Sequence, residues 1–232
     1  MKVDIWSDVV CPFCYIGKRK FENALVEFSG KDEVEIVWHS FQLDPDLIPV
    51  AGKSVSQWLA DRKGVSYEEG KKMNDSMAAT ALKVGLVYDF DKAIVRNTLT
   101  AHRLLHLSKQ YGVQNEMKER LFSAYYTEGK DIDDLETLVL LGEELKIPGE
   151  IIRTVLGAGK YTAEVIADQQ RAQEIGIQGV PFFVFNDKYA VSGAQPTHLF
   201  KEVLDKVYEE EHPLKLTGEE GNGFCTPEGV CE

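Results

Sequence analysis

The sequence lacks the features expected of a nucleic-acid-binding or membrane-spanning protein. Among its 232 residues, 26 are Lys or Arg and 38 are Asp or Glu, which gives a formal net charge of −12. Because no run of basic residues is available to neutralise phosphates, we expect no nucleic-acid partner. No stretch approaches the roughly 20 apolar residues of a membrane span, so we expect no membrane partner.

The first residues also lack the pattern of a secretory signal. Such a signal needs a basic region followed by an apolar run of about 7–15 residues. Asp4 and Asp8 interrupt any run of that kind here. We therefore expect the protein to be cytoplasmic.

Cysteine is scarce, and its distribution is uneven. The four cysteines form two close pairs at opposite ends of the chain, Cys11 with Cys14 and Cys225 with Cys231. A reducing compartment disfavours a structural disulfide framework, so pairing of this kind favours thiol chemistry. Zinc is the alternative, but the second pair has a wider gap than zinc ligands usually have and lies far along the chain. We predict no metal site and no cofactor.

The hydrophobic pattern predicts an α/β domain that is split by a long helical segment. Short strands are predicted at residues 2–6, 34–41, 181–186 and 189–191. Helices are predicted from residue 12 to about residue 29, at 163–175 and at 197–210. Residues 54–159 are predicted to be almost wholly helical, with one of these helices at 118–128. We therefore divide the chain into a domain of residues 1–53 and 160–211, a helical insertion of residues 54–159, and a flexible tail of residues 212–232.

The Cys-x-x-Cys segment follows a predicted strand and opens a predicted helix. A helix N-terminus offers unpaired N–H groups and a partial positive charge, which favour a thiolate at Cys11. Pro12 suits the first helical turn because it has no N–H to leave unpaired. Cys14 lies one turn further on, close enough to attack a mixed disulfide at Cys11. We predict Cys11 as the attacking thiol and Cys14 as the resolving thiol.

Two separated segments resemble a known family. Residues 7–17 read SDVVCPFCYIG and residues 175–184 read IGIQGVPFFV, with SGAQ following at 192–195. Both resemble the active-site elements of the DsbA-like thioredoxin superfamily, in its FrnE-type cytoplasmic branch. The resemblance covers nearly the whole chain and implies a thioredoxin-like α/β fold with a large all-helical insertion between its two halves.

The resemblance also implies roles for residues around the cysteines. Val180–Pro181 would be a cis peptide that faces the cysteine pair, and its backbone would bind an extended thiol substrate, either a protein or glutathione. Pro12 and Phe13 would contribute to the same substrate site, over which the insertion would lie. Oxidases of the DsbA type often have His where this chain has Phe13, so we expect a milder potential of about −180 to −270 mV.

Several alternatives stay open. Glutathione-dependent isomerases and transferases of the kappa or hydroxychromene-carboxylate type resemble the same fold, but they typically carry Ser in place of the first Cys. A non-enzymatic holding chaperone would use the insertion as its binding surface. The resemblance to FrnE-type proteins, which have a second cysteine pair near the C-terminus, implies that Cys225 and Cys231 are an auxiliary redox pair. The alternative is that they are incidental thiols. An exposed apolar surface on the insertion would permit a homodimer.

Three further polar residues invite a functional interpretation. Asp8 is suited to cap the first helix or to lie solvated in its loop, and shuttling a proton is the alternative. His102 and His106 are spaced one helical turn apart, as metal ligands would be. Because no Glu accompanies them in the usual motif, we expect them to be core or surface histidines.

Overall fold

The computed structural model describes residues 1–213 and shows a four-stranded mixed sheet. The strands are β1 (Lys2–Ser7), β2 (Glu35–Ser40), β3 (Phe182–Phe185) and β4 (Tyr189–Ser192), in the order β2-β1-β3-β4. β1 runs parallel to β2, while β3 is antiparallel to both β1 and β4. Helix α1 (Pro12–Val26) makes the crossover between the parallel strands. The sheet thus joins strands from the two ends of the described chain.

Most of the helices lie between β2 and β3. They are α2 (Val55–Lys63), α3 (Tyr67–Leu82), α4 (Leu99–Gln110), α5 (Gln114–Tyr126), α6 (Leu135–Glu144), α7 (Gly149–Gly157) and α8 (Thr162–Glu174), and α9 (Thr197–Glu211) follows β4. Their boundaries carry the expected signals. Ser66 caps α3 reciprocally with Glu69, and Gly64 ends α2 in the left-handed conformation. The α/β class with helices between the two halves of the sheet is confirmed.

Buried apolar side chains form separate clusters on the sheet and in the helical segment. One cluster places α1 and α9 against one face of the sheet through residues such as Ile5, Phe21, Phe183 and Phe200. Alternate residues of β1 point to opposite faces, so Trp6 instead packs near α8 on the other side. The cluster of the helical segment extends to the start of α1 and includes both Cys11 and Cys14. The cysteines therefore lie where the two parts of the molecule meet.

Helix α5 begins earlier than the sequence pattern predicts. The predicted start at residue 118 is wrong, because the helix already begins at Gln114. The Gln114 side chain accepts from the backbone N–H of Trp38 at 3.1 Å and donates to its carbonyl at 3.0 Å. These bonds fix the first turn of α5 against β2. None of the helices within residues 1–213 is long and apolar enough to cross a membrane.

Candidate active site

Cys11 and Cys14 lie at the N-terminus of α1. Cys11 is the N-cap residue with extended backbone angles, and Pro12 occupies the first helical turn. The backbone N–H of Cys14 donates to the Cys11 carbonyl at 3.0 Å. Both side chains are free thiols and both are buried, whereas 47% of Phe13 is exposed between them. The site is thus a buried dithiol, and the residue between the two cysteines in the sequence is a half-exposed aromatic.

The loop before β3 approaches this dithiol from the other end of the described chain. The Val180–Pro181 peptide bond is cis, as the family resemblance implies. The Cys11 Sγ lies 3.5 Å from the Val180 carbonyl oxygen. A Cβ built on Gly17 would lie only 2.9 Å from the Pro181 Cγ. The absence of a side chain on Gly17 therefore lets Pro181 pack directly on α1.

The electrostatics at Cys11 oppose the prediction from the helix start alone. Its hydrogen bond with the Cys14 side chain raises the pKa of the Cys11 thiol, and burial and the negative charges of Cys14 and Asp8 act in the same direction. The backbone N–H of Cys14 lowers the pKa, as a helix start should, but less strongly. The prediction that the helix start lowers the pKa of Cys11 is therefore wrong for the reduced pair, where the hydrogen bond with Cys14 and then burial outweigh it.

The helical segment contacts the active-site helix directly. Tyr88, in the connection between α3 and α4, donates from its hydroxyl to the Pro12 carbonyl at 2.8 Å. Tyr15 of α1 donates to Glu119 of α5 at 2.7 Å and stacks on Phe122 at a centroid distance of 4.7 Å. These bonds join the cysteine turn to the helices that cover it.

Asp8 neither caps α1 nor lies solvated in its loop, as we had expected. No side chain caps α1, so the capping prediction is wrong, and Asp8 is fully buried rather than solvated. Its carboxylate lies 3.2 Å from the His102 Nε2 and accepts from the Leu43 backbone N–H at 2.8 Å. Burial would raise the pKa of Asp8, but these bonds and the charges nearby lower it overall. Asp8 and His102 thus form a buried polar pair that links the cysteine loop to α4.

Two further histidines, His39 and His106, lie within hydrogen-bond distance of carboxylates. His39 lies 2.6 Å from Asp4 through Nε2 and 2.9 Å from Asp168 through Nδ1. The Nε2 of His106 lies 3.1 Å from the other oxygen of Asp168. His102 is a core histidine, as predicted, and is fully buried. The group of His39, His106, Asp4 and Asp168 joins β1, β2, α4 and α8.

A cavity of about 180 Å³ lies beside the cysteine turn. Its wall includes Val10 and Pro12 from the turn and mostly apolar side chains from the loop after β2 and from the helical segment, among them Leu47, Trp58, Phe90, Val95 and Tyr126. A dry apolar cavity of about 150 Å³ accommodates benzene. This cavity therefore has room for one aromatic ring or branched alkyl group.

The cavity offers little charge to a ligand. Two acidic side chains in its wall are already engaged, since Asp8 contacts His102 and Asp44 accepts from Arg62 at 2.6 Å. Arg96 donates to Asp131 at 2.7 Å. The buried Tyr126 hydroxyl has no hydrogen-bond partner within residues 1–213. The wall therefore suits a neutral, mainly apolar group.

The sequence-predicted residues divide into two sets. Cys11, Pro12, Phe13, Val180 and Pro181 are brought together with Cys14 at one end of α1 and the loop before β3. The predicted auxiliary pair, Cys225 and Cys231, and the predicted tail of residues 212–232 fall almost entirely outside the described residues. Their roles stay predictions.

Two proteins are similar to this chain over nearly its whole length. The uncharacterised protein YwbO of Bacillus subtilis is 29% identical over 219 residues, which are 92% of this chain and 98% of the relative. The crystal structure of the probable DsbA oxidoreductase SCO1869 from Streptomyces coelicolor is 36% identical, with a TM-score of 0.84. It covers 100% of this chain, which in turn covers 98% of it.

A second structure is similar in fold. The structure of 2-hydroxychromene-2-carboxylate isomerase has a TM-score of 0.66 at 15% identity, over 93% of this chain and 100% of the isomerase. The family model described as a DSBA-like thioredoxin domain matches residues 2–205. With its thioredoxin-like sheet and its dithiol at the start of α1, the chain belongs to the family of DsbA-like thioredoxin domains.

Proposed function

We propose that this protein is a thiol–disulfide oxidoreductase that works through Cys11 and Cys14. The observation that carries this proposal is the placement of a reduced cysteine pair at a helix start, with the Cys11 Sγ 3.5 Å from the Val180 carbonyl beside Pro181. Only a thiol pair can both form and resolve a mixed disulfide. Family membership supports oxidoreductase chemistry on thiol and disulfide substrates in general.

The exchange follows from the two thiols. A Cys11 thiolate attacks one sulfur of a substrate disulfide, forms a mixed disulfide and releases one substrate thiolate. The Cys14 thiolate then attacks the Cys11 sulfur, which forms the Cys11–Cys14 disulfide and releases the second substrate thiolate. The two substrate thiolates take up the two protons that the cysteines lose, and two electrons pass to the substrate. The reverse sequence oxidises a substrate dithiol.

The residues around Cys11 and Cys14 would contact the substrate. Pro12, the exposed Phe13, Val180 and Pro181 border the thiols, and the cavity beside Pro12 suits an apolar side chain near a substrate cysteine. The substrate is a protein or a small thiol such as glutathione. We propose the cytoplasm as its compartment and the FrnE-type branch as its subfamily. We also propose residues 1–53 and 160–211 as one domain and 54–159 as the insertion.

Trapping the intermediate tests the assignment of roles. Cys14→Ser should accumulate a mixed disulfide at Cys11 with a cysteine-containing peptide disulfide, because the resolving thiol is absent. Cys11→Ser should form no such adduct and should lose turnover. An adduct at Cys14 in the Cys11→Ser variant, with turnover retained, would contradict these roles. Peptide mass spectrometry of both variants reads out the site of attachment.

A second candidate function is a glutathione-dependent isomerase. The specific observation in its favour is the cavity for one aromatic ring beside Pro12, together with the fold similarity to the isomerase. This function needs no resolving thiol. If Cys14→Ser retained full activity on an aromatic substrate in the presence of glutathione, the isomerase would replace the dithiol mechanism.

A further inference from the structure

The wall of the cavity beside the cysteine turn contains three polar side chains whose hydrogen-bonding capacity is not fully used within residues 1–213. They are Asn74 of α3 and the consecutive residues Tyr125 and Tyr126 at the end of α5. Their exposed fractions are only 5%, 4% and 0%. Because buried polar groups in folded proteins are nearly always hydrogen-bonded, we expect each of them to have a partner.

Asn74 has an amide oxygen without a donor. Its Nδ2 donates to the Ser56 Oγ at 3.0 Å, whereas no group of residues 1–213 donates to its Oδ1. A side-chain amide oxygen accepts up to two hydrogen bonds. The cavity is therefore lined by an acceptor that an O–H or N–H group of a ligand would satisfy.

The two tyrosines differ in how accessible their hydroxyl groups are. Neither hydroxyl makes a hydrogen bond within residues 1–213. The Tyr126 hydroxyl is sealed from solvent, but the Tyr125 hydroxyl is not among the sealed atoms. Since Tyr125 is 4% exposed and forms part of the cavity wall, the cavity is where a partner for its hydroxyl would lie.

The rest of the wall determines the body of a ligand. Its apolar side chains enclose about 180 Å³, enough for one aromatic ring, and its charged members are already paired. Pockets of this kind, mainly apolar with a few polar groups, are typical of small-molecule sites. A hydroxyl group both donates and accepts, so one hydroxyl on the ring could serve the Asn74 Oδ1 and the Tyr125 hydroxyl together.

We propose that this cavity binds a phenol, a small neutral aromatic group with one hydroxyl, and that Asn74 and Tyr125 are its hydrogen-bond partners. The site goes beyond the proposed oxidoreductase function, because binding of a phenol requires neither cysteine. Two sources share this chemistry. One is a free phenolic molecule, and the other is a tyrosine side chain of a substrate, since Val10 and Pro12 on either side of Cys11 are also in the wall.

Paired ligands test the chemical class. Isothermal titration calorimetry measures the affinity of the wild-type protein for phenol, toluene and benzoate. A wall without free polar groups would accept toluene and reject phenol, because the phenol hydroxyl would be buried without a partner. We expect phenol to bind at least as tightly as toluene, and the charged benzoate not to bind. Failure of phenol to bind at millimolar concentrations would overturn the inference.

Matched substitutions of the two tyrosines test the assigned partner. Tyr125→Phe should weaken the binding of phenol about tenfold, because the ligand hydroxyl loses a partner, and should not weaken the binding of toluene. Tyr126→Phe changes the neighbouring residue of the same wall, where the hydroxyl is sealed, and should leave the affinity for phenol unchanged. Equal effects of the two substitutions on phenol would overturn the role of Tyr125.

A measurement on the wild-type protein locates the ligand without any variant. Nuclear Overhauser effects should connect the ring protons of phenol with the methyl groups of Val55 and Val95, which lie in the cavity wall. This test holds even if Tyr125→Phe does not fold. Contacts of phenol only with methyl groups outside the wall would overturn the inference.

Exchange with two peptide disulfides distinguishes the sources of the phenol. The peptides differ only in having Tyr or Phe next to the cysteine. Faster exchange of the Tyr peptide, with the difference lost in Tyr125→Phe, identifies a substrate tyrosine as the ligand. Equal rates in a protein that binds phenol identify a free molecule. If phenol binds but neither peptide exchanges, the proposed oxidoreductase function fails while the phenol site stands.

Discussion

Gly17 of α1 lies against the ring of Pro181, and a Cβ on Gly17 would come within 2.9 Å of the Pro181 Cγ and 3.5 Å of the Ala194 Cβ. Contacts below 3.0 Å force something to move. The neighbour here is a rigid ring, held in the loop whose Val180 carbonyl contacts Cys11. The packing of α1 on Pro181 therefore helps to fix the distance between the dithiol and this loop.

Gly17→Ala should push the Pro181 loop away from the thiols. We expect a loss of about 1–3 kcal/mol in the free energy of unfolding, as for overpacked cores. We also expect slower exchange with a peptide disulfide, because the Val180 backbone no longer lies at its position beside Cys11. Gly157→Ala is the matched control, since nothing lies within 4 Å of a Cβ there. Equal exchange rates in the two variants would refute this role for Gly17.

Tyr126→Phe should leave the protein as stable as wild type or more stable by up to about 1 kcal/mol. The Tyr126 hydroxyl is buried without a partner within residues 1–213, so removing it removes a desolvation cost. Tyr15→Phe is the control, because the Tyr15 hydroxyl donates to Glu119 at 2.7 Å and its loss should destabilise by about 1 kcal/mol. Chemical denaturation measures the free energy of unfolding of both variants. A clear destabilisation by Tyr126→Phe would show that this hydroxyl is hydrogen-bonded in solution.

The group around His39 should make stability depend on pH. Burial would lower the pKa of His39, but its bonds to Asp168 and Asp4 raise it overall. A raised pKa means that His39 contributes stability fully below its unfolded value of about 6.5 and loses that contribution as pH rises through the higher folded value. The free energy of unfolding should therefore fall as the pH rises above the unfolded pKa of about 6.5.

Asp168 makes stability depend on pH on the acidic side instead. Burial would raise its pKa, but hydrogen bonds from His106 and His39 lower it far below its ordinary value. Its contribution to stability is present above the unfolded pKa of about 3.9 and is lost as the pH falls.

A substitution of His39 tests its part in this pH dependence. His39→Gln should flatten the decline of the free energy of unfolding on the alkaline side, whereas substitution of an exposed histidine, His198→Gln, should not. A decline of equal size in wild type and His39→Gln would rule out His39 as its source.

Local motifs made part of the site predictable from the sequence. Cys11, Pro12 and Cys14 are contiguous, and a helix start gives them a recognisable chemical purpose. The loop before β3 was found by resemblance, because an X-Pro step alone does not indicate its partner across the sheet. The α/β order was readable because strand and helix periodicities differ.

Residues that act across the fold gave no such signal. Asp8 pairs with His102, 94 positions away, and was therefore mistaken for a helix cap. Lys118 stands beside Glu119 and Arg120, so its segment reads as an exposed helix face although Lys118 is fully buried. Burial of a charged residue depends on which elements pack together, and a single helical segment does not encode that.

The central claim is that Cys11 and Cys14 form one redox couple, and a titration in glutathione buffers tests it most directly. Wild-type protein is equilibrated at each ratio of reduced to oxidised glutathione, free thiols are alkylated, and the cysteines are read as separate peptides. We expect Cys11 and Cys14 to change together as one two-electron couple. A stable glutathione adduct on Cys11 with Cys14 unchanged would contradict it.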